Sequence, residues 1–237
     1  ESFPQAPSAT NFVIPNGFDA VAAAGAPPAD GALKIVHAGE IYGSRSLVPL
    51  LRAVQDLSVR RPERAIHVTT YGALPPAEWQ RIRDAGLELF IDVQPRIPFA
   101  ALFAELQRAH VLLAVVSDHM TYSTPYKIYD YMAAGRPILG LAPHDAALHE
   151  LLADSGAGQC VDPTDIDGIG QALEKILFGD GAITRARIDR FRWSNLARDY
   201  VNAIDAVSET PAATFTPQPP AVSRDTSSHT APAGKSA

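Results

Sequence analysis

Short apolar segments alternate with amphipathic segments along most of the chain. The apolar segments are typical of buried β-strands and predict strands at residues 33–38, 65–70, 87–93, 111–116, 138–141 and 158–161. Between them, apolar residues recur every three or four positions and predict helices at residues 47–57, 75–84, 98–109, 124–134, 147–153, 165–177 and 194–207. Strands that alternate with helices at this spacing are joined by right-handed crossovers. We therefore predict a doubly wound α/β domain whose parallel sheet is covered on both faces.

The segment at residues 124–142 has the clearest boundary signals. Thr124 offers an N-cap oxygen, and Pro125 occupies the first helical position, where its missing N–H costs nothing. Gly135 supplies a left-handed C-terminal cap, and Pro137 stops the helix. These signals predict a helix, a tight turn and a buried strand.

Three further features concern the ends of the pattern. Residues 12–19, FVIPNGFD, form an apolar strand-like run followed by a turn. Asp165 is the predicted N-cap of the helix that follows it. The last predicted helix has an apolar face formed by Leu196, Tyr200, Val201 and Ile204.

The composition of the two ends limits the folded part to residues 12–207. Residues 208–237 are rich in Pro, Ala, Ser and Thr, bury too little apolar surface to offset the entropy of ordering, and predict a disordered tail. Residues 1–11 are similarly poor in core-forming residues and are interpreted as a linker remnant. Because the chain begins with Glu and its pattern begins almost at once, we expect it to be a piece of a longer protein.

The charge and the hydropathy of the chain argue against two kinds of partner. The net charge is −6 and no Lys/Arg run occurs, which argues against nucleic-acid binding. No uncharged apolar window approaches the roughly 20 residues of a membrane span. The single cysteine, Cys160, excludes an internal disulfide and favours a reducing compartment.

Ligands of doubly wound sheets bind beyond the carboxyl ends of the strands. Four predicted loops leave these ends, at residues 39–46, 71–73, 93–98 and 117–127. Arg45 is the only cation of the first loop, and Gly39 allows close approach of the backbone. Lys127 and Tyr126 lie in the first turn of the predicted helix, whose N-terminal N–H groups favour an anion. Together these groups suit a diphosphate, with Asp130 one turn further on for a neighbouring hydroxyl.

A purely structural interpretation of the same residues remains open. In it, Arg45 and Lys127 are solvated, Asp130 makes a surface ion pair, and the segment only packs against a sheet. His37 and His67 lie within predicted strands, where we expect hydrogen-bonded core residues. The sequence contains no HExxH or clustered Cys/His pattern, and His144 and His149 are too isolated to predict a metal site.

Four segments resemble the carboxyl-terminal, nucleotide-sugar-binding half of GT-B glycosyltransferases, in particular the large retaining family 4 that builds bacterial surface polysaccharides. They are VIPNGFD at 13–19, IVHAGEIYGSRSLVPLLRA at 35–53, AHVLLAVVSD at 109–118 and PYKIYDYMAAGRPILGL at 125–141. They follow the family's order and rough spacing. The resemblance implies a Rossmann-like donor-binding domain and a hexosyltransferase-type enzyme, which transfers sugar from a nucleoside diphosphate to an acceptor hydroxyl.

The resemblance also implies roles for individual residues. Gly39 matches the family's phosphate-approaching glycine, and Arg45 matches its phosphate-binding lysine or arginine. Asp130 stands where the family places a glutamate on the ribose hydroxyls of the donor. The loop from Arg96 to Pro98 matches the loop that holds the base.

Two residues depart from the family's pattern. Tyr122 replaces the first acid of a pair that is separated by seven residues, so contacts to the sugar are in doubt. Glu40 replaces a basic residue directly after the glycine, so the diphosphate relies more on Arg45, Lys127 and the helix dipole, which we assign to leaving-group stabilisation. The other donor-binding candidates lie in the same loops, at Gly72, Ser123, Thr124 and Tyr126.

The implied partners are a nucleotide sugar, an acceptor glycan or lipid-linked glycan, and an amino-terminal GT-B domain that this chain lacks. No cofactor is implied, and no metal is needed if cations and amides stabilise the diphosphate. The family also implies a cytoplasmic location, with peripheral association at the inner face of the membrane as an option. We therefore expect this chain to bind donor but to turn over poorly alone.

Three alternatives remain at this stage. A sugar-nucleotide 2-epimerase shares the architecture and a similar donor pocket. A flavodoxin-like interaction module needs only the sheet and predicts no nucleotide binding. A hydrolase built on Ser117, Asp118 and His119 is disfavoured, because we expect three adjacent residues at a strand end not to point at one another.

Overall fold

A six-stranded parallel sheet forms the centre of the computed structural model, which describes residues 12–19, 27–179 and 185–208. The predicted linker at 1–11 and the predicted tail beyond Ser208 lie outside the described residues. The strands are β1 (Leu33–Ala38), β2 (Ile66–Tyr71), β3 (Ile91–Gln94), β4 (Val111–Val115), β5 (Ile138–Leu141) and β6 (Gly158–Val161). Their order is β3-β2-β1-β4-β5-β6, and every neighbouring pair is parallel. This doubly wound order confirms the predicted fold class.

Helices cover both faces of the sheet. They are α1 (Val48–Arg60), α2 (Pro76–Asp84), α3 (Phe99–Arg108), α4 (Lys127–Ala134), α5 (Ala147–Ser155), α6 (Ile166–Phe178), α7 (Arg185–Ile188) and α8 (Trp193–Ser208). One apolar layer lies under α1, α2 and α6, and the other lies under α3, α4 and α5. The central strand β4 is buried at every position because it contributes to both layers.

The predicted caps at Gly135 and Asp165 are present in the structure. Gly135 has φ of 71°, and its N–H donates to the carbonyls of Tyr131 and Met132. The Asp165 carboxylate accepts a hydrogen bond from the N–H of Gly168 at 2.9 Å. Both ends are therefore set by local chemistry.

The strand-like run at residues 12–19 is not a strand, so that prediction is wrong. Its one ladder contact is a parallel bridge between Phe18 and Arg192. The Phe18 N–H donates to the carbonyl of Phe191, and the N–H of Trp193 donates to Phe18. The segment therefore pairs with the residues that open α8 and not with a strand of the sheet. Its apolar residue Val13 is 93% exposed.

Two other predictions need correction. A 3₁₀ turn occupies Glu88–Phe90, within the predicted strand at 87–93, so β3 begins only at Ile91. The N–H of Leu87 donates to the Ile82 carbonyl at 3.1 Å, and this hydrogen bond holds the turn to the end of α2. On α8, only Leu196 of the predicted apolar face is buried, and the remaining members are exposed, namely Tyr200, Val201 and Ile204.

A buried carboxylate fixes the end of the β1–α1 loop, although the sequence pattern did not indicate it. Glu78 of α2 is fully buried, and its Oε1 accepts from the Ser46 hydroxyl at 2.9 Å and from the Leu47 N–H at 2.7 Å. Its other oxygen accepts from the Nε of Arg81 at 2.9 Å. Glu78 therefore satisfies a donor at the start of α1 that would otherwise be buried without a partner.

We expect Glu78→Ala to lower the free energy of unfolding by about 2 kcal/mol, because it leaves the buried Leu47 N–H unsatisfied. Urea denaturation followed by circular dichroism measures the loss. The matched control is Glu88→Ala, at an exposed position, which should change stability by less than about 0.5 kcal/mol. Equal losses in the two variants would show that the Glu78 carboxylate does not anchor the loop.

Candidate functional site

The strands β1 and β4 part at the carboxyl edge of the sheet. Their register includes Ile35 and Val36 of β1 and ends there, so later residues of the two strands are not paired with each other. The hydroxyl of Tyr131, from α4, lies in the opening, accepting from the Ala38 N–H at 2.9 Å and donating to the Leu113 carbonyl at 3.2 Å. One buried side chain thus joins both strands and α4 at the position where ligands of such sheets bind.

Two loops meet closely at this edge. Gly39 and Gly72 have φ of +111° and +147°, and a Cβ at Gly72 would lie 2.5 Å from the Gly39 carbonyl oxygen. The N–H of Gly39 donates to the Tyr71 carbonyl at 2.9 Å. Side chains are therefore excluded at this contact, and the backbone of the β1–α1 loop is held against the β2–α2 loop.

Lys127 reaches the same glycine from α4. Its Nζ donates to the Ala38 carbonyl at 2.7 Å and lies 3.0 Å from the position of a Cβ on Gly39. Burial, and then the like charge of Arg45, lower the pKa of Lys127 to about 8. The structure describes no carboxylate that pairs with this ammonium group. Lys127 is thus a half-buried cation without an anionic partner.

Arg45 is a second buried cation beside Lys127. It is 7% exposed, and its guanidinium carbon lies 4.0 Å from the centre of the Tyr42 ring. Within the described residues its Nε has no hydrogen-bond partner. The neighbouring Ser44 hydroxyl contacts Ser117 Oγ at 3.2 Å and donates to Asp118, which links the β1–α1 and β4–α4 loops. The structure therefore brings the two predicted cations close enough for their charges to interact.

The start of α4 differs from its prediction. The helix begins at Lys127, and the Thr124 side chain caps no N–H of the described residues. The N–H groups of Ile128 and Tyr129 donate to the carbonyls of Pro125 and Tyr126 in a tightened first turn. The amides of Tyr126 and Lys127 have no backbone partner among residues 12–19, 27–179 and 185–208, so two donors remain free at this helix end.

Asp130 lies one turn further along α4. The carboxyl group is half-buried, and this burial raises its pKa. No hydrogen bond or ion pair to the described residues satisfies it. The surface ion pair of the alternative interpretation is therefore not seen among these residues.

A shallow groove lies at the ends of β2 and β3. It has a volume of about 240 Å³ and is lined by Glu40, Gly72, Ala73, Val93, Gln94 and Arg96 together with Pro95. An exposed ion pair, 2.8 Å between Arg96 Nη2 and Glu40 Oε1, crosses it. The pair adds little stability in water, because both side chains are exposed to solvent.

The side chains of the remaining predicted site residues make few contacts. Tyr122 and Tyr126 are 83% and 54% exposed, and neither side chain donates to or accepts from any described residue. Ser123 and Thr124 are partly exposed in the same loop. Pro98 precedes α3, and its carbonyl accepts from the N–H of Leu102 at 3.0 Å. Pro98 follows β3 and the other four residues lie between β4 and α4, and no contact of their side chains fixes a role for them.

The residues of the hydrolase alternative do touch one another, so the expectation that they point apart is wrong. Ser117 donates to Asp118 at 3.1 Å, and Asp118 lies 3.6 Å from His119 Nε2. The order is unsuitable for nucleophilic catalysis, because the carboxylate rather than the imidazole faces the serine. Hydrogen bonds from Ser44 and Ser117 lower the pKa of Asp118 and make it a weaker base.

Several residues that build the site were not found from the sequence pattern. His37 is buried and its Nδ1 bonds to the Leu113 carbonyl, as expected of a hydrogen-bonded core residue, whereas its Nε2 lacks a partner among the described residues. Thr70 lies in the predicted strand at 65–70, and Tyr131 lies in the predicted helix at 124–134. The pattern assigned neither of them a role in the site. Polar residues inside otherwise apolar segments were the available signal.

The described residues contain neither a metal-binding cluster nor a membrane-spanning helix. No group of three or more His, Cys, Asp or Glu side chains within them is arranged to hold a metal ion. His144 and His149 do pack ring against ring, with centres 5.7 Å apart. None of the helices in this part of the chain has the length and apolar character needed to cross a membrane.

The family is shown by sequence. The sequence model of the family described as glycosyl transferases group 1 matches residues 32–178. The matched segment runs from β1 to the end of α6 and contains both cations and Asp130. The chain therefore belongs to the glycosyl transferases group 1 family and is a glycosyltransferase domain. A comparison with curated protein sequences gave no significant match.

Solved GT-B glycosyltransferases have the same fold. The lipopolysaccharide outer core galactosyltransferase WaaB matches with a TM-score of 0.62 and 15% identity, over 83% of this chain and 56% of its own. The α,α-trehalose 6-phosphate synthase of Burkholderia multivorans matches with a TM-score of 0.54 and 17% identity, over 75% of this chain and 44% of the synthase. The pneumococcal O-GlcNAc transferase GtfA, solved with UDP and GlcNAc, matches with a TM-score of 0.55 and 16% identity. The match covers 82% of this chain and 39% of GtfA. This chain spans about half of the length of such enzymes, or less.

We expect Arg45→Ala to raise the pKa of Lys127 above about 8, because the like charge of Arg45 disfavours the protonated amine. NMR titration of ¹³C-lysine-labelled protein measures this midpoint. Arg52→Ala removes an exposed arginine from α1 and should leave the midpoint unchanged. A wild-type midpoint at the ordinary value of 10.5 would contradict the burial of this ammonium group.

Proposed function

We propose that this domain binds a nucleoside-diphosphate sugar at the carboxyl edge of the sheet and supplies the donor half of a glycosyl transfer. The observation that carries the proposal is that Lys127 reaches Gly39 beside the start of α4, where the charge of the buried Arg45 acts on it. Two neighbouring cations that have no carboxylate partner among the described residues repel each other, and a diphosphate between them removes that repulsion. Exposed backbone at Gly39 lets the phosphate oxygens approach closely.

The ends of the donor fit the neighbouring features. Asp130 has a half-buried carboxylate without a partner in the described residues, and it suits the ribose hydroxyls as an acceptor of two hydrogen bonds. The groove between Glu40, Gly72 and Arg96 is wide enough for part of a planar base. We assign Ser123, Thr124 and the exposed rings of Tyr122 and Tyr126 to the sugar end, where the loop lies open to solvent.

Transfer builds negative charge on the leaving diphosphate and positive charge on the anomeric carbon. Arg45, Lys127 and the N-terminal end of α4 stabilise the leaving group most when its charge is largest, which lowers the barrier. We propose that these groups act without a metal ion and that the anomeric configuration is retained. The resemblance of the α4 segment to retaining family 4 enzymes supports retention of the anomeric configuration.

The acceptor hydroxyl and the group that assists it are proposed to lie in an amino-terminal GT-B domain. The partial coverage of the solved enzymes supports this proposal. The exposed apolar face of α8 also supports it, since Tyr200, Val201 and Ile204 would gain stability from a covering partner. We propose that the acceptor is a glycan or a lipid-linked glycan and that the reaction serves polysaccharide synthesis at the cytoplasmic side of a membrane.

Arg45→Ala and Asp130→Ala should each weaken binding of the preferred nucleoside diphosphate at least about tenfold, because each removes a charged hydrogen bond. Calorimetry against UDP, GDP and ADP and their sugars identifies that ligand and measures the loss. Arg52→Ala and Asp56→Ala remove exposed residues of the same types from α1 and should bind normally. Absence of nucleotide binding by the wild type would support a non-enzymatic module and refute the proposal.

The chain alone should release little nucleoside diphosphate from its donor, because the acceptor site is proposed to be elsewhere. Adding the amino-terminal domain and an acceptor should raise release at least about a hundredfold, and NMR of the product sugar reports whether configuration is retained. Release that needs no acceptor and accompanies a change at the sugar C2 would instead indicate an epimerase. Full transfer by the chain alone would contradict the two-domain proposal.

A further inference from the structure

Three buried polar side-chain atoms lack a hydrogen-bond partner in the part of the chain that the structure describes. They are His37 Nε2, Thr70 Oγ1 and Arg45 Nε. The exposed fractions of these residues are 1%, 0% and 7%. A buried polar atom without a partner costs about 1–3 kcal/mol, so three at one site need a physical explanation.

The three residues belong to one region. His37 and Thr70 are direct register partners on β1 and β2, so their side chains emerge on the same face of the sheet. That face lies under α1, because Ile35 and Val68, two residues earlier on each strand, belong to its apolar layer. The loop that carries Arg45 leads into α1, and the charges of Lys127 and Arg45 both act on the His37 ring.

The proton of His37 is fixed by its other nitrogen. Nδ1 lies 2.9 Å from the Leu113 carbonyl, which only accepts, so Nδ1 carries the hydrogen. Burial, followed by the charge of Lys127, lowers the pKa of His37 to about 3, so the ring is neutral at physiological pH. Nε2 is therefore an acceptor with a free lone pair.

The needs of the three atoms are complementary. Arg45 Nε–H only donates, His37 Nε2 only accepts, and the Thr70 hydroxyl does both. None of the three atoms forms a hydrogen bond with another one or with any other atom of the described residues. A single water molecule that accepted from Arg45, donated to His37 and bonded to Thr70 would satisfy all three atoms, and three polar partners are typical of a conserved buried water.

We propose that His37, Thr70 and Arg45 share one buried water molecule, and that this water fixes the Arg45 guanidinium for the diphosphate. His37 and Thr70 are then positioning residues that act through Arg45 and never touch the donor. The catalytic consequence rests on the proposed function, whereas the water site itself does not. Tyr42, stacked on the same guanidinium, restrains its other side.

Thr70→Val keeps the shape of the side chain and removes the hydroxyl, and Thr70→Ser keeps the hydroxyl. We expect Thr70→Val to weaken nucleoside-diphosphate binding about three- to tenfold in calorimetry, and Thr70→Ser to stay within about twofold of wild type. Thr69→Val changes a buried threonine on the opposite face of β2 and is the matched control. A Thr70→Val protein that binds like wild type overturns the proposal.

A double-mutant cycle separates positioning from general destabilisation. In an Arg45→Ala background, Thr70→Val should cause no further loss of affinity, because the residue it acts through is absent. The same loss in both backgrounds would assign Thr70 a merely structural role and would overturn the positioning role. Circular dichroism confirms that each variant is folded before its affinity is compared.

The water site is tested without any nucleotide. A high-resolution crystal structure of the chain should show one ordered water at hydrogen-bond distance from all three atoms, and Thr70→Val should change the ¹⁵N shift of His37 Nε2. A direct contact between Arg45 and His37, or a dry site, refutes the water. If the wild type binds no nucleotide but the water is present, the proposed function fails and the buried site stands.

Discussion

The structure depends on the point where β1 and β4 separate. Parallel strands that part inside a domain leave backbone groups without their ladder partners, and such groups must be satisfied elsewhere. Tyr131 satisfies the Ala38 N–H, and the Leu113 carbonyl accepts from both Tyr131 and the His37 ring. The crevice therefore stays open because polar side chains, rather than a neighbouring strand, complete the hydrogen bonding at its base.

This opening explains why cations collect there. Lys127 donates to the last carbonyl of β1, and the loop that begins at Gly39 carries Arg45 to the same place. Burial lowers the pKa of Lys127, and the like charge of Arg45 lowers it further, so the charged amine is disfavoured unless an anion is present. Two cations that are partly removed from water, and that have no anionic partner in the part of the chain that the structure describes, form a site complementary to a dianion. This complementarity is the physical basis of the proposed donor site.

Most of the fold followed from local pattern, and the exceptions have identifiable causes. The strands and helices were predictable because burial on both faces gives continuous apolar runs and caps obey backbone chemistry, as at Gly135 and Asp165. Residues 12–19 imitated a strand but pair with the start of α8, a contact between distant segments. The 3₁₀ turn before β3 and the uncapped start of α4 likewise reflect packing that a local pattern does not contain.

The sequence by itself determined the alternation of strands and helices, the family, and the residue types able to bind a diphosphate, because periodicity, capping and motif spacing are local properties. Only the tertiary structure decided which of these residues meet. It placed the Lys127 amine against Gly39 and left Asp130 unpaired among the described residues. It also buried Glu78 and His37 where strands and loops converge. Burial and pairing depend on segments far apart in the chain, so no local reading of polarity distinguishes a solvated charge from a positioned one.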